Sequence, residues 1–449
     1  MESMLNQNTT RDMTSGFIYK HIVIFSLPLL AGNIFQLLYN TVDSFVVGNY
    51  VGKEALAAIG STTPLINTLV GFFMGISTGG GVVIAQHFGA GNIVRLKKTV
   101  HTMIAATFIL GLLFTALGIA FTPFMLRLMS TPDDVFASSA EYLKIYFAGL
   151  EGLMLYNMGS GILRAVGDSK RPVYFLVLTS ILNVVLDLFF VLVLKTGIAG
   201  VAYATIISEA VSAILILAVL FTSKECCKIS IKELKIDLKE LKKVLKVGLP
   251  GGIQMAITSF SNVFVQGYIN HFGSSCMAGW ASYGKIDQFA ILPMQSISMA
   301  STTFVGQNFG AHKLDRVRRG VNVSLILSCA VTAILALPLM FFSRPLTALF
   351  NKDAEVIYYG SYFLRANSLF YILCCVNQIY AGSLRGLGNA TVPMFIMLGS
   401  FVVFRQIYLF VITHITTAFF PVAVAYPVGW VLCSAIMTIY YLHFSKKIE

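Results

Sequence analysis

Apolar and polar positions alternate along this chain on the scale of whole helices. Mostly apolar runs begin near residues 22, 57, 99, 136, 172, 198, 247, 280, 320, 356, 391 and 421, with short polar or Gly- and Pro-containing turns between them. About 20 apolar residues cross a bilayer core as a helix. The pattern therefore predicts an all-α polytopic membrane protein with twelve transmembrane helices. The first run, Ile22 to Val47, carries a polar face: three- and four-residue steps back from Asp43 reach Asn40, Gln36 and Asn33. Amides bonded to neighbouring helices would explain most of that face without any function. A carboxyl group at membrane depth costs about 3 kcal/mol or more and marks a functional candidate. Pro28 and Gly32 share the run, and the proline favours a bend.

Composition agrees with this pattern. The chain has 449 residues, is 56% hydrophobic and 12% charged, and its mean hydropathy is +0.78, which excludes a soluble domain. The first run has no small-residue cleavage site after it, so no removable signal peptide is expected. Seven cysteines (226, 227, 276, 329, 374, 375, 433) show no zinc or redox spacing and read as small buried hydrophobes. The net charge of +12 is distributed by topology, since 23 Lys and Arg fall in alternate gaps and at the termini against five on the other side. The positive-inside rule then places both termini in the cytoplasm of a multi-pass plasma (inner) membrane protein. No nucleic acid is needed to explain the charge.

The longest polar gap, KECCKISIKELKIDLKELKKVLKVG, holds eight lysines, and its leucines at 234, 238, 241 and 245 predict an amphipathic helix on the cytoplasmic face, lysines toward acidic headgroups. On either side of it the sequence repeats. QHFGAGN returns as QNFGAHK, LRAVGDSKRP as LRGLGNATVP, and Val201, Ala202 and Ala204 as Val422, Ala423 and Ala425, all at one offset of 221 residues. The expected organisation is a first lobe over 1–222, a linker over 223–245 and a second lobe over 246–449. Six helices per copy give both copies the same orientation, and such repeats place a substrate path between them. In LRxxG(D/N) the glycine suits a left-handed helix cap and Asp168 or Asn389 a turn, a structural role.

Chemistry is better sought where the copies differ. The acids Asp43, Glu151, Asp187 and Glu209 shift by 221 onto Phe264, Ile372, Tyr408 and Trp430, and Asp287 shifts onto Ile66. No acid is kept in both copies, so the fold does not require them, and their bias toward the first copy points to a cation pocket there. Asn183 and Asp187 lie one helical turn apart on one face. With Asp43 they offer two carboxylates and an amide oxygen. Two carboxylates in a low dielectric cannot both ionise cheaply, so the pair is expected to bind a proton near neutrality. The same oxygens suit Na⁺, a hard cation, in which case Asp43, Asn183 and Asp187 are its ligands. Gln36, Asn40, Glu151 and Asn157 are expected to line the cavity with them, and Glu209 either lines it or pairs locally. In the second copy Gln254, Asn262 and Asp287 are the cavity candidates, with Arg405 or Lys285 available as partners for an acid.

No Walker lysine, HExxH or GxSxG is present, so an enzyme is not expected. The glycine-rich GISTGGG at 75–81 lies inside a span and is explained by close helix packing. Leu-Pro in the first and seventh runs, VGKEALAAIG after the first, QxFGA in both halves, LRAVGDSKRP and LNVVLD together resemble the multidrug and toxic compound extrusion (MATE) family over almost the whole chain. The resemblance implies two six-helix lobes in a V that extrude substrate in exchange for H⁺ or Na⁺. It also implies that Asp43, Asn183 and Asp187 form the first-lobe cation site, as in DinF-like members, with Asn157 nearby. Thr258 and Cys374 stand where NorM-like members carry acids. The reading is a bacterial cation-coupled antiporter that exports organic, cationic amphipathic compounds by alternating access. It is expected to work as a monomer among membrane lipids, with no nucleotide and no cofactor besides the coupling ion. A flippase for lipid-linked oligosaccharide is the alternative, and it expects an arginine-rich cavity, for which only Lys285, Arg365 and Arg405 are available.

Overall fold

A computed structural model describes residues 10–129, 131–223 and 226–447. Lys224, counted in the basic linker, and both chain ends lie outside the described residues. All regular structure among the described residues is helical: apart from a few short helical turns between them, there are twelve long runs in succession. They are α1 Ile18–Val46, α2 Lys53–Gly89, α3 Ile93–Leu128, α4 in two pieces (Asp133–Ala148 and Leu150–Ala165), α5 Lys170–Leu188 and α6 Gly197–Thr222. The second set is α7 Leu238–Asn270, α8 Ser274–Gly310, α9 Leu314–Phe341, α10 in two pieces (Ala354–Ser368 and Tyr371–Gly386), α11 Thr391–Leu398 continuing through a π segment into Arg405–Ile415, and α12 Ala425–Lys447.

Eight of these runs are long and apolar enough to cross a membrane by themselves. The others fall short for physical reasons. The pieces of α4 and α10 are 15 or 16 residues long, and α7 and α8 carry Ser, Thr, Gln, Asn and Gly among their apolar positions. The two breaks, at Gly149 and at Leu369–Phe370, occupy equivalent places in the repeat. The LRxxG(D/N) motifs do as well. Gly167 and Gly388 adopt φ of +92° and +85°, and the next residue donates its N–H back to Leu163 or Leu384 at 3.0 and 2.9 Å. Asp168 Oδ1 then accepts the N–H of Lys170 and Arg171, which starts α5.

By contact the chain divides into two compact units. The first holds the chain up to Asp12 and Ala31–Gly248, the second Met13–Leu30 and Leu249–Glu449. Residues 13–30 therefore group with the opposite copy from the one to which the sequence repeat assigns them. The cause lies in their apolar face: Ile22, Phe25 and Leu29 are buried in one cluster with Ile297, Phe304, Ile379 and Cys433. The later part of α1 belongs to the first unit, where Val46 and Val47 are buried with Ala58, Val191 and Val201.

The linker differs from its expected form. A single 3₁₀ turn, Ile231–Glu233, is followed by extended chain, and α7 runs unbroken from Leu238 into the span. The leucine stripe does not set the buried face, since Leu238 is 75% exposed while Glu240, Val244 and Val247 are 4%, 0% and 6% exposed. Two contacts fix that register. Gly248 lies against Gly79 backbone to backbone, and Glu240 takes hydrogen bonds from His87 at 2.9 Å, Thr99 at 3.1 Å and Lys243 at 2.7 Å. Burial alone would push the Glu240 carboxyl up, but the bonds from Lys243 and His87 outweigh it and hold the group below the usual carboxylate range. A depressed carboxylate stabilises above its ordinary value and ceases to as pH falls through its folded value. Glu240→Gln is thus expected to lower the melting temperature of the purified protein by about 2–4 °C at neutral pH. The difference should shrink below pH 4.5, the ordinary value, and an equal difference at both pH values contradicts the clamp.

Candidate cation and substrate site

The buried stripe of α5 is Phe175, Thr179, Asn183 and Asp187, spaced by one turn. Its polar members face α6: Ser212 donates to Thr179 at 2.7 Å. With its amide turned so that both ends are satisfied, Asn183 donates to Asp187 Oδ2 at 3.1 Å and accepts the Thr205 N–H at 3.2 Å. Asp187 is 1% exposed and Asn183 2%. From α1, the Asp43 carboxyl comes within interaction range of the Asp187 carboxyl. Two acids far apart in sequence are thus neighbours, and a hydrogen bond between two such carboxyl groups would require a proton on one of them. Oδ1 of each is buried and has no hydrogen-bond partner among the described residues. Orphaned buried acceptors of this kind call for a proton, a water or a cation. The Asn183 oxygen, spent on Thr205, does not join them.

Two tyrosines stand beside the pair and a third beside Glu209. Tyr39 of α1 and Tyr142 of α4 lie within electrostatic range of Asp43, Asp187 and Glu209, and Tyr146, one turn beyond Tyr142, within range of Glu209. Glu209 on α6 is half-buried, with Oε2 unpartnered among the described residues. Phenols at this place can donate to a carboxylate or present a ring face to a cation. The sequence signal for them was the i, i+4 spacing of Tyr142 and Tyr146, which by itself does not differ from ordinary core.

The other candidates separate from this group. Glu151 follows the break in α4 and points at α3, its carboxyl lying where a Cβ on Gly111 would stand. Asn157 donates back to Leu153 O of its own helix at 2.9 Å. Gln36 and Asn40 are exposed on α1. In the second unit Gln254 is buried at 7% exposure. Asp287 accepts hydrogen bonds from Tyr283, at 3.0 Å, and Tyr371. Its pairing with Arg405 does not form: that guanidinium donates to Asn262 Oδ1 at 2.8 Å and Ser261 Oγ at 3.2 Å, and lies 4.5 Å from the centre of the Tyr426 ring. Lys285 instead stands over Phe350. Asp287, Arg405 and Lys285 therefore each have neutral partners, with Tyr371, Ser261, Tyr426 and Phe350 standing where an opposite charge would.

Two stretches, residues 28–189 and 250–411, match the MatE family model, one in each copy of the repeat. The chain is 30% identical over 455 residues to "Probable multidrug resistance protein YoeA" of Bacillus subtilis (strain 168), covering 100% of this chain and 98% of that protein. It is 28% identical to "Probable multidrug resistance protein YpnP" of the same organism, covering 88% of each. Among solved structures, an outward-facing multidrug resistance MATE family transporter of the MOP superfamily superposes with a TM-score of 0.92 at 23% identity, over 99% of this chain and 100% of that one. That likeness establishes the fold.

Proposed function

This chain belongs to the MatE family, and from that premise we propose that it is an antiporter that exports organic cations in exchange for protons. The observation that carries the reading is the Asp43–Asp187 contact, with the Asn183 oxygen turned to the Thr205 N–H. Two buried carboxyl groups that share a proton are a site that one cation can empty or fill. With its oxygen engaged, Asn183 positions Asp187 rather than offering itself as a cation ligand, which favours H⁺ over Na⁺. Relatives named for multidrug resistance support small organic substrates. The aromatic cluster of the second unit, where Trp280 lies 4.8 Å from Phe363 and 4.9 Å from Tyr283 between ring centres, suits flat apolar cations.

In this reading a proton on the pair favours one orientation of the protein and substrate the other, by differential affinity. The site lies in the first unit, with Thr258 and Cys374 uncharged in the second, as in DinF-like members. The protein sits in the plasma membrane of a bacterium with both termini cytoplasmic. Arg405 and Arg365 are committed to Asn262 and to Ser343, which does not suit a flippase for anionic lipid-linked sugars.

Proteoliposomes loaded with a cationic dye test the reading. A pH gradient imposed alone is expected to drive dye movement, and a Na⁺ gradient alone is not. If neither drives it, antiport is wrong; if Na⁺ alone does, the proton assignment is wrong.

A further inference from the structure

A cleft of about 590 Å³ opens in the first unit, where the start of α3 meets the linker. Lys97 and Lys98 come from α3, Lys232 and Lys235 from the linker, and all four are exposed. Among the described residues none of the four takes part in an ion pair. Two acids also line the cleft, against four lysines. Asp237 Oδ1 accepts the N–H groups of Lys239 at 2.9 Å and Glu240 at 3.2 Å, capping α7. Glu233 lies 3.7 Å from His101. His101 itself is buried and fixed: Nδ1 donates to Lys97 O at 2.7 Å, and Nε2 accepts the Ser230 N–H at 3.0 Å. It joins α3 to the linker, and the Thr102 hydroxyl joins them again by accepting the Asp237 N–H at 2.9 Å. The linker is thus held in place, and the cleft is a formed feature with excess positive charge.

Its rim is apolar and uncovered. Val94 and Ile236, the aliphatic residues that line it, are 69% and 37% exposed. Aliphatic side chains set beside lysines cost free energy against water and match the boundary between headgroups and acyl chains. The positive-inside count assigns this end of α3 to the cytoplasmic face, whose leaflet is rich in acidic lipid.

We propose that this cleft binds the phosphate of an acidic membrane lipid, held by Lys97, Lys98, Lys232 and Lys235, with Val94 and Ile236 in the acyl boundary. A free phosphate ion shares the headgroup chemistry but leaves that apolar rim in water. Specific headgroup capture differs from diffuse attraction in depending on which lysines are present.

Native mass spectrometry of the detergent-purified full chain, titrated with phosphatidylglycerol or phosphatidylcholine, tests this. Phosphatidylglycerol is expected to bind and phosphatidylcholine is not. The variant K97Q/K98Q/K232Q/K235Q should lose affinity about tenfold, with an unchanged melting temperature since all four lysines are exposed. The control K239Q/K242Q/K246Q, three exposed lysines at the start of α7 that do not line the cleft, should change affinity by less than about twofold. Equal losses in both variants overturn the proposal in favour of diffuse charge. Displacement of the lipid by excess inorganic phosphate overturns it in favour of a soluble anion.

Discussion

Asp187→Asn is expected to reduce proton-driven dye efflux by about 5- to 150-fold, the range of ordinary coupling free energies, while passive dye exchange persists. The amide is nearly isosteric with the carboxyl, so packing around a residue only 1% exposed changes little. Asn cannot take up a proton, and its oxygen can still accept the Asn183 amide hydrogen. Coupling should therefore fail without loss of fold, and the melting temperature should stay equal or rise, because a costly buried acid has been removed. Asp43→Asn should behave alike. The double variant should be no worse than either single one, since the two carboxyl groups act as a unit. Full proton-driven efflux in Asp187→Asn would separate the pair from coupling.

Gly79→Ala is the substitution expected to cost most in stability. An added Cβ would stand 2.4 Å from the Gly248 Cα and N, both backbone atoms in the register contact between α2 and α7. Those atoms cannot turn aside, so the helices must part, at about 1–3 kcal/mol or more, together with the clamp around Glu240. Its neighbour is the control. The atoms nearest a Cβ on Gly80 belong to the Met103 side chain, the first at 2.8 Å, and methionine repacks readily. Thermal melts of the purified variants should show Gly79→Ala well below the parent and Gly80→Ala close to it. Equal melting temperatures would contradict the close α2–α7 packing.

Much of this was legible in the sequence because lipid imposes simple rules. Every backbone polar group must be satisfied within the span, so twelve apolar runs become twelve helical runs. GISTGGG was legible as close packing, and Gly79, Gly80 and Gly161 lie within it or against it. An acid in an apolar run is rare enough to single out Asp43 and Asp187, and Asn183 followed from one-turn spacing. What sequence did not show depends on contacts between distant elements. Thr205 and the tyrosines reach the pair from α6, α1 and α4. Tyr371 reaches Asp287 from α10, so neither Arg405 nor Lys285, the partners the sequence left open, pairs with it. The linker shows the same limit. Its leucine spacing predicted one face, but the Gly79–Gly248 approach and the Glu240 bonds turn another face inward. The first half of α1 also joins the opposite unit through Ile22, Phe25 and Leu29, apolar residues that fit either partner by composition.

In the proposed exchange, Asp43 and Asp187 hold a proton in competition with substrate. Reciprocal linkage makes this measurable at equilibrium. Dye affinity of the purified protein, measured by fluorescence titration across a pH series at fixed Na⁺, is expected to weaken steadily as pH falls and to become independent of pH in Asp187→Asn. An affinity that ignores pH in the parent, or that keeps its full pH dependence in the variant, would contradict the account.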